Sequence, residues 1–389
     1  MSPSPISLIL VSYSYPPVLG GSEVEAQRVC GELIRRGYRV RVLCAGLPAM
    51  PEAAEWTDPE GVPVRIFGHG HAPPLLDRIF ALGVAWKLWK RRKEYDLVYF
   101  LMQGLHLATG MPTARLLGKP FVMKVSGSDQ ITRMGQSWMG RLELRWLRKW
   151  TRRLMILNPG MAAEATAAGF LPEQLCWMPN PVDSSLFAPC QPARRSVQRA
   201  GLGIAPEALV AIYVGRLAPE KQLASLLGGF AGVARQFPDA MLVLVGDGPE
   251  REGLRSRAAA LGLEAQIRFA GQLEIPEVCR WLQVSDVFAL VSSREGFPCS
   301  LTEAMSTGLP SVVSAIPASM QLIEDGVHGL HAAVKDETAI AGAMARLFSD
   351  GGLRARMGEA ARARAMENYS TAKVVDRYEA LFAEVLGAR

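Results

Sequence analysis

Short apolar runs rich in β-branched residues alternate along the chain with longer stretches in which apolar residues recur every three or four positions. Runs of the first kind predict buried strands, and stretches of the second kind predict helices. Because the two alternate and glycine or proline often follows a strand, the pattern is typical of an α/β protein with parallel sheets. The main strands are predicted at residues 6–12, 39–45, 95–101, 121–125, 154–157, 209–214, 241–245, 267–270, 286–291 and 311–314.

The length of the chain predicts two domains, because 389 residues exceed what one hydrophobic core usually supports. The opening order of strand, glycine-containing loop and helix is repeated from residue 209 onward. We therefore predict two doubly wound Rossmann-like domains at residues 1–188 and 189–370. Residues 189–199, rich in Pro, Arg and Gln, are predicted to be the linker, and residues 371–389 a final amphipathic helix.

A polar loop connects the predicted strand at residues 286–291 to a predicted helix at residues 301–307. It lies within residues 292–305, which read Ser-Ser-Arg-Glu-Gly-Phe-Pro-Cys-Ser-Leu-Thr-Glu-Ala-Met. Glu295 and Glu303 stand near its two ends, with seven residues between them. The strand-to-helix turn therefore carries two carboxylates beside the start of a helix.

The residues between these carboxylates suit an anionic ligand. Ser300 is a candidate N-cap, with Glu303 in the position that completes a capping box. Gly296 allows close approach to the backbone, and N–H groups at a helix start attract anions. Glu295 and Glu303 can each accept sugar or ribose hydroxyls while the N–H groups bind a phosphate. This pattern predicts a nucleotide-sugar site; the alternative is a structural turn, with Glu303 as a cap and Glu295 solvated.

Two cations flank a second strand-to-helix turn, after the strand at residues 209–214. Arg216 and Lys221 are five residues apart, so both can lie beside one crevice. A forked guanidinium and a mobile ammonium together suit a pyrophosphate. The alternative is that Lys221 pairs with Glu220 or is solvated.

Two loops of the first half also follow predicted strands. Gly20 and Gly21 precede a helix predicted at residues 23–36, and Ser126 follows the strand at residues 121–125. Loops at the carboxyl ends of parallel strands face the ligand crevice. An ordinary turn remains the alternative for the Gly-Gly pair.

These motifs resemble those of the retaining GT-B glycosyltransferases of family 4. Residues 295–303 are similar to the family's Glu-seven-residues-Glu motif, and residues 215–221 to its Gly-Arg-x-x-x-x-Lys. Residues 16–23 resemble its Pro-Pro-x-x-Gly-Gly-x-Glu opening, and residues 179–187 its Pro-Asn-Gly-Val-Asp-x-x-x-Phe segment. The resemblance extends over nearly the whole chain.

The resemblance implies a GT-B fold, in which two Rossmann-like domains face each other across a cleft and the last helix crosses back to the first domain. It also implies transfer of a sugar, with retention of configuration, from a nucleotide-diphosphate donor to an acceptor hydroxyl of a glycan, lipid-linked sugar or small molecule. In this scheme Arg216 and Lys221 bind the diphosphate, Glu295 the donor sugar and Glu303 the ribose. Further contacts with the donor are implied for Gly20, Gly21, Ser126, Gly271, Leu273, Phe297, Pro298, Ser300 and Leu301.

The sequence departs from the family at two places. Ser126 stands where the family often has a histidine in His-Gly-x-Asp, so no histidine role is carried over. Pro181 replaces the glycine of the family's interdomain segment, so that turn can differ. The nearby Asn158 resembles the family's Ser or Asn at that place, and a capping role is equally compatible with its position.

No Asp-x-Asp motif is present, so we expect neither a metal nor another cofactor. Arg216, Lys221 and the helix start at Ser300 and Leu301 should instead neutralise the departing diphosphate.

The net charge of +6 is unevenly distributed: residues 1–200 carry 25 Lys and Arg against 15 Asp and Glu. This excess suggests an acidic surface or ligand for the first half. A predicted helix at residues 75–89 ends in the basic residues 90–93, and another at residues 138–154 combines Trp, Leu and Arg. Helices rich in Trp, Leu and Arg can lie on an anionic membrane surface. The alternative is two surface helices with solvated cations.

We expect a cytoplasmic protein, with peripheral contact at the inner membrane face if these helices bind lipid. No apolar run approaches 18 residues, and the N-terminus lacks the basic region of a signal peptide. The six cysteines form no CxxC pair, which favours a reducing compartment and argues against a metal site.

Other function classes remain open. A non-catalytic nucleotide-sugar scaffold or sensor would keep Arg216 and Glu303, and Ser126 in place of histidine gives it some support. A sugar epimerase of the same fold would need titratable carboxylates and a histidine in the cleft, whereas the five histidines lie outside the strongest motifs. A nucleic-acid binder is not favoured, because no basic motif is interleaved with aromatic residues.

Overall fold

The computed structural model describes residues 5–18, 20–52, 54–101 and 103–387. The chain divides into two compact units: unit 1 comprises Met1–Pro181 and Thr371–Arg389, and unit 2 comprises Val182–Ser370. The sequence places the boundary at residue 188, whereas the structure places it after Pro181.

Unit 1 contains an eight-stranded sheet in the order β3-β4-β2-β1-β5-β6-β7-β8. Neighbouring strands are parallel, except that β3 is antiparallel to β4. The strands are β1 (Ser7–Ser12), β2 (Arg39–Ala45), β3 (Glu55–Thr57), β4 (Pro63–Phe67), β5 (Leu97–Leu101), β6 (Phe121–Lys124), β7 (Leu154–Ile156) and β8 (Leu175–Trp177). The strands β2 and β5 lie on opposite sides of β1, so the direction in which the chain adds strands across the sheet reverses at β1.

Helices cover both faces of this sheet, because right-handed connections that run in opposite directions place their helices on opposite faces. The helix α1 therefore lies on one face and α2 to α6 on the other, where α2 packs against α3, α3 against α5 and α5 against α4. Their bounds are α1 (Gly21–Arg35), α2 (Leu75–Lys90), α3 (Leu105–Leu116), α4 (Gln130–Gln136), α5 (Trp138–Trp150) and α6 (Pro159–Ala167).

Unit 2 contains a six-stranded parallel sheet in the order β11-β10-β9-β12-β13-β14. Its strands are β9 (Val210–Val214), β10 (Met241–Val245), β11 (Ile267–Gly271), β12 (Val287–Leu290), β13 (Ser311–Ser314) and β14 (Gly329–Ala332). Its helices are α7 (Pro192–Gly201), α8 (Leu223–Ala234), α9 (Arg251–Ala260), α10 (Ile275–Val284), α11 (Cys299–Thr307), α12 (Pro317–Leu322), α13 (Glu337–Ser349) and α14 (Gly351–Asn368). The predicted fold class, two doubly wound α/β domains, is confirmed.

The last helix, α15 (Thr371–Gly387), belongs to the core of unit 1. Its apolar side packs into the cluster that includes Leu10 of β1 and Val29 of α1. The residues it contributes are Val374, Val375, Tyr378, Leu381, Phe382 and Val385.

The predicted linker at residues 189–199 is wrong, since most of it forms α7. Arg195 donates to the carbonyls of Val284 and Ser285 at the end of α10 and to the carboxylate of Asp286 at 2.8 Å. Arg199 donates to the carbonyl of Val284 at 2.9 Å. These contacts, which composition does not reveal, hold a Pro- and Arg-rich segment as a helix.

The predicted N-cap at Ser300 is also wrong. The helix α11 begins at Cys299 and its N-cap is Pro298, whose carbonyl accepts from the N–H of Leu301 at 3.0 Å. Ser300 is therefore inside the helix, and Glu303 lies beyond its first turn. The predicted capping box does not form.

Candidate functional site

The principal site residues lie on two loops of unit 2, one after β9 and one after β12. These strands are neighbours in the sheet, although the chain forms β10 and β11 between them. The loops therefore leave the carboxyl ends of two strands at the point where the strand order reverses. Ligands of doubly wound sheets bind at such a point.

Lys221 and Glu295 form an ion pair between these two loops. The ammonium of Lys221 donates to both carboxylate oxygens of Glu295, at 2.7 and 2.9 Å. The Lys221 side chain is 18% exposed and that of Glu295 is 8% exposed, so the pair is largely shielded from solvent. The sequence predicts both residues in the site, but the alternative partner it names for Lys221 is Glu220.

Two serines fix the loop that carries Glu295. The buried Ser292 donates its hydroxyl to Glu295 Oε1 at 2.6 Å. Ser293 donates its backbone N–H to the carbonyl of Glu220 at 2.8 Å and its hydroxyl to the same oxygen at 3.1 Å. The loop after β12 is thus tied to the loop after β9 both through side chains and through the backbone.

Arg216 extends from the first loop toward solvent. Its guanidinium contacts Glu220 Oε1 at 2.5 Å, and its side chain is 67% exposed. The N–H of Glu220 and the guanidinium of Arg216 lower the pKa of the Glu220 carboxyl. Burial raises the pKa of Tyr213, and its hydroxyl donates to the carbonyl of Arg216 at 2.9 Å.

Close packing of the loops after β9 and β10 holds the backbone beside Arg216. The residue Gly246, after β10, has φ +126°, and a Cβ there would lie 2.0 Å from the carbonyl oxygen of Gly215. The N–H of Leu217 donates to the carbonyl of Asp247 at 2.9 Å. Only glycine at 246 permits this approach, so the loop after β10 supports the loop after β9.

The remaining predicted residues of unit 2 fall into two groups. Pro298, Ser300, Leu301 and Glu303 lie at or within α11, beside Glu295 in the chain, and Phe297 makes an edge contact with Tyr369 at 6.0 Å between ring centroids. Gly271 ends β11 with φ +74°, and Leu273 follows it. Because β10 separates β11 from β9, these two residues lie farther along the same edge of the sheet.

The predicted residues of unit 1 lie at the carboxyl edge of its own sheet. Gly20 is the N-cap of α1 and Gly21 its first residue, while Leu19 is outside the described residues. Ser126 follows β6, and its N–H donates to the side-chain oxygen of Gln130 at 2.9 Å. Asn158 caps α6, because its side-chain oxygen accepts from the N–H of Met161 at 3.1 Å.

A buried ion pair connects the elements beneath these two loops. Lys124, the last residue of β6, donates to Glu25 of α1, and both side chains are shielded from solvent, at 0% and 1% exposed. Lys124 also donates to the side-chain oxygen of Asn180 at 2.9 Å and to the hydroxyl of Tyr378 at 3.3 Å. Tyr378 in turn donates to Glu25 at 2.7 Å. One buried network therefore joins β6, α1 and α15 to Asn180, which lies near the end of the segment Met1–Pro181.

The sequence reasoning missed Ser292, Ser293, Glu25 and Lys124 as partners of the site loops. The position of Lys124 indicates a buried partner, because a lysine at the end of an apolar strand needs either such a partner or a route to water. Among the described residues, no group of three or more His, Cys, Asp or Glu side chains is arranged to hold a metal ion.

Comparison with protein families gives two matches in tandem. Residues 19–186 match the family model described as Glycosyltransferase Family 4, and residues 194–364 match the one described as glycosyl transferases group 1. The two matches correspond closely to the two units of the structure.

Individual proteins extend this similarity. N-acetyl-alpha-D-glucosaminyl L-malate synthase of Bacillus anthracis is 30% identical over 184 residues, which is 47% of this chain and 48% of that protein. UDP-Gal:alpha-D-GlcNAc-diphosphoundecaprenol alpha-1,3-galactosyltransferase of Escherichia coli is 28% identical over 314 residues, 77% of this chain and 78% of that protein. Anabaena Alr3699/HepE, crystallised in complex with UDP and glucose, has a similar fold, with a TM-score of 0.79 and 21% identity over 97% of this chain and 100% of that one.

Proposed function

Since the chain belongs to family 4 of the GT-B glycosyltransferases, we propose that it transfers a sugar from a nucleotide-diphosphate donor to an acceptor hydroxyl in glycan or glycolipid biosynthesis. The observation that carries this proposal is the Lys221–Glu295 pair at the strand-order reversal of unit 2. It provides a cation for a diphosphate and a carboxylate for sugar hydroxyls in one place.

The proposed role of the cations is to stabilise the leaving group. Negative charge grows on the diphosphate as its bond to the sugar breaks, so a cation held nearby binds the transition state more strongly than the ground state. Lys221 is held by Glu295, and Arg216 is exposed beside it in the chain. With the helix start of α11, these groups can take the place of a metal ion, and we propose a metal-independent reaction.

Glu295 is proposed to bind the donor sugar and Glu303 the ribose. A carboxylate offers about four acceptor sites, so Glu295 can accept sugar hydroxyls while it keeps its bonds to Ser292 and Lys221. We further propose retention of configuration. The acceptor oxygen would form its bond to the anomeric carbon on the face from which the diphosphate departs, and the acceptor proton would pass to a phosphate oxygen.

The names of two similar proteins suggest which substrates to test first. The Escherichia coli relative uses UDP-Gal and a sugar carried on diphosphoundecaprenol, and the Anabaena protein was crystallised with UDP and glucose. We therefore propose a UDP-sugar as the first donor and a lipid-linked sugar as the first acceptor class.

Contact with an anionic membrane is part of the proposal and rests on one helix layer of unit 1. Exposed apolar side chains along α2 include Leu82, Trp86 and Trp89, which are 67%, 47% and 55% exposed, and Trp138 of α5 is 68% exposed. Residues 75–153 carry 16 Lys and Arg against 5 Asp and Glu. Aromatic and aliphatic side chains surrounded by cations fit an anionic lipid interface.

The cations lie directly beside the aromatic rings of α2. Lys90 is 4.8 Å from the ring centroid of Trp86, and Arg92 is 5.0 Å from that of Trp89. Such pairs can place the ring in the headgroup region while the cation contacts lipid phosphate. Within the part of the chain that the structure describes, no helix is both long and apolar enough to span a bilayer.

Glu303→Ala is expected to weaken binding of the cognate nucleotide by about 1–3 kcal/mol, because it removes the proposed hydrogen bonds to the ribose. Thermal shift with UDP, GDP, ADP and TDP, each with and without common sugars, identifies the nucleotide, and titration of the variant measures the loss. Glu359→Ala, which removes an exposed carboxylate from α14, is the control and should leave the affinity unchanged.

An unchanged affinity in Glu303→Ala would contradict the ribose assignment. Tight nucleotide binding without donor hydrolysis or transfer to any acceptor extract would instead favour a nucleotide-sugar sensor.

Replacing Trp86 and Trp89 together by serine is expected to lower binding to anionic vesicles by roughly tenfold or more, since two exposed rings would lose their apolar contact with lipid. Sedimentation with vesicles of phosphatidylcholine and phosphatidylglycerol measures the change. A Val197→Ser, Met320→Ser double variant is the control, because it removes two exposed apolar side chains from unit 2. Equal binding of both double variants would contradict membrane contact through α2.

A further inference from the structure

A surface groove of about 400 Å³ lies in unit 1 between α4, α5 and α6. Its apolar lining includes the buried side chains of Ile131 and Leu144. Two arginines of α5, Arg141 and Arg148, line the same groove. It therefore combines an aliphatic floor with two forked cations, a composition that the nucleotide-sugar site of unit 2 does not share.

The two guanidinium groups keep most of their capacity to donate. Arg141 donates to the carbonyl of Gly135 at 3.3 Å, and Arg148 donates to the carbonyl of Ala168 at 3.1 Å. Across the described residues, neither guanidinium is paired with a carboxylate. A guanidinium has five N–H donors, so several remain on each arginine. Because carbonyl oxygens carry no net charge, these two contacts do not neutralise the positive charges of Arg141 and Arg148.

One carboxylate lines the groove but does not neutralise these arginines. The oxygens of Glu164 accept from the N–H of Asp129 at 2.7 Å and from the hydroxyl of Thr132 at 3.4 Å. Both contacts hold the carboxylate toward α4. The charged side chains of the lining sum to +1, so an anion is favoured in the groove.

We propose that this groove binds the headgroup phosphate of an anionic membrane lipid. Arg141 and Arg148 would bind the phosphate, since guanidinium forks match phosphate oxygens in geometry. The glycerol and the first acyl carbons would lie against Ile131 and Leu144. The inference rests on the proposed membrane contact of this helix layer, because a lipid reaches the groove only if α5 is at the bilayer surface.

The aliphatic floor selects a lipid over a free phosphate ester. A soluble ester such as glycerol phosphate has the anion but little apolar surface, so it gains nothing from Ile131 and Leu144. Burial of acyl carbons contributes in proportion to their area, and a lipid should therefore bind at least tenfold more tightly than the ester.

The test uses a monomeric short-chain phosphatidylglycerol, titrated calorimetrically into the full chain below the concentration at which the lipid forms micelles. No membrane is present, so general attraction to a charged surface does not contribute. Loss of the charge-assisted bonds in an Arg141→Ala, Arg148→Ala double variant is expected to weaken binding at least tenfold. The matched control is Arg145→Ala with Lys149→Ala, which removes two exposed cations from the same helix that do not line the groove. This control should bind the short-chain lipid like the unaltered protein.

A second variant guards against an indirect effect of losing the arginines. Ala167→Glu keeps both arginines and adds a carboxylate to an exposed lining position, so it should also weaken binding at least tenfold through repulsion of the phosphate.

The outcomes separate this inference from the membrane proposal. If the protein binds anionic vesicles but both double variants bind the short-chain lipid equally, the groove is not the lipid site, and membrane contact stands. If glycerol phosphate binds as tightly as the lipid, the ligand is a free phosphate ester, and the lipid assignment is overturned. If neither vesicles nor the short-chain lipid bind, both proposals fail.

Discussion

Lys221→Ala is expected to lower kcat by about 10²–10³-fold, because it removes a preorganised cation from the position where charge develops on the leaving diphosphate. The affinity for the free nucleoside should stay unchanged, since the nucleoside carries no phosphate for Lys221 to bind. Transfer or donor hydrolysis measures kcat, and calorimetry compares the nucleoside with its diphosphate. Arg356→Ala is a suitable control, since it removes a cation from the exposed side of α14.

The ion pair adds a second readout to this experiment. Without Lys221, Glu295 loses the ammonium that contacts both of its oxygens and keeps only the hydroxyl of Ser292 among the contacts described above. Effects of Lys221→Ala and Glu295→Ala on kcat should therefore fall short of additivity in the double variant. Equal affinity of the unaltered protein for nucleoside and diphosphate would remove the basis for a phosphate-binding role of Lys221.

Lys124→Met is expected to destabilise the protein by about 3–5 kcal/mol, because it leaves Glu25 charged and without its cation in the interior of unit 1. Denaturation in urea measures the change. Lys93→Met, at an exposed position, should change the free energy of unfolding by about 0.5 kcal/mol or less.

A double variant distinguishes the unpaired charge from a loss of packing. In Lys124→Met with Glu25→Leu, no buried charge remains, and much of the stability should return. A loss of about 1 kcal/mol or less in Lys124→Met alone would mean that Glu25 reaches water or another partner without Lys124. A double variant as unstable as the single one would assign the loss to packing.

Most strands of both sheets could be predicted because they are largely buried, as β1, β9 and β12 are. The predicted bounds of β10 and β13, Met241–Val245 and Ser311–Ser314, coincide with the structure. A run that is apolar on both faces has no other stable place in an α/β fold. The sequence does not predict the edge strands β3, β8 and β14, nor β4, which lies between β3 and β2. The three residues of β3 are mostly exposed and carry no such pattern.

Errors occurred where contacts distant in sequence decide the local structure. A segment rich in Pro, Arg and Gln is typical of a linker, yet Arg195 and Arg199 bind the end of α10 and hold α7 as a helix. The pattern of residue types predicts a cap at Ser300, but the carbonyl of Pro298 starts the helix earlier.

The motifs of the candidate site are local in sequence, whereas the side chains that contact its residues come from distant parts of the chain. Arg216, Lys221, Glu295 and Glu303 could be proposed as site residues because their motifs are local in sequence, and their roles stay predictions. The pairing of Lys221 with Glu295 could not, because it depends on the adjacency of β9 and β12. The burial of Glu25 could not be predicted either, since a glutamate in an amphipathic helix is usually solvated.

The position of α15 has a consequence for how the chain folds during synthesis. Unit 1 receives six of its core residues from α15, which the ribosome adds only after the whole of unit 2. Residues 5–181 therefore emerge without the apolar face that packs against Val29 and Leu10, whereas unit 2 is contiguous and can complete its core first. Domains commonly fold in the order in which they are made. Synthesis therefore begins with unit 1, but unit 1 is the last to complete its core. Until α15 is added, the apolar surface that it covers is exposed on the nascent chain and can bind chaperones.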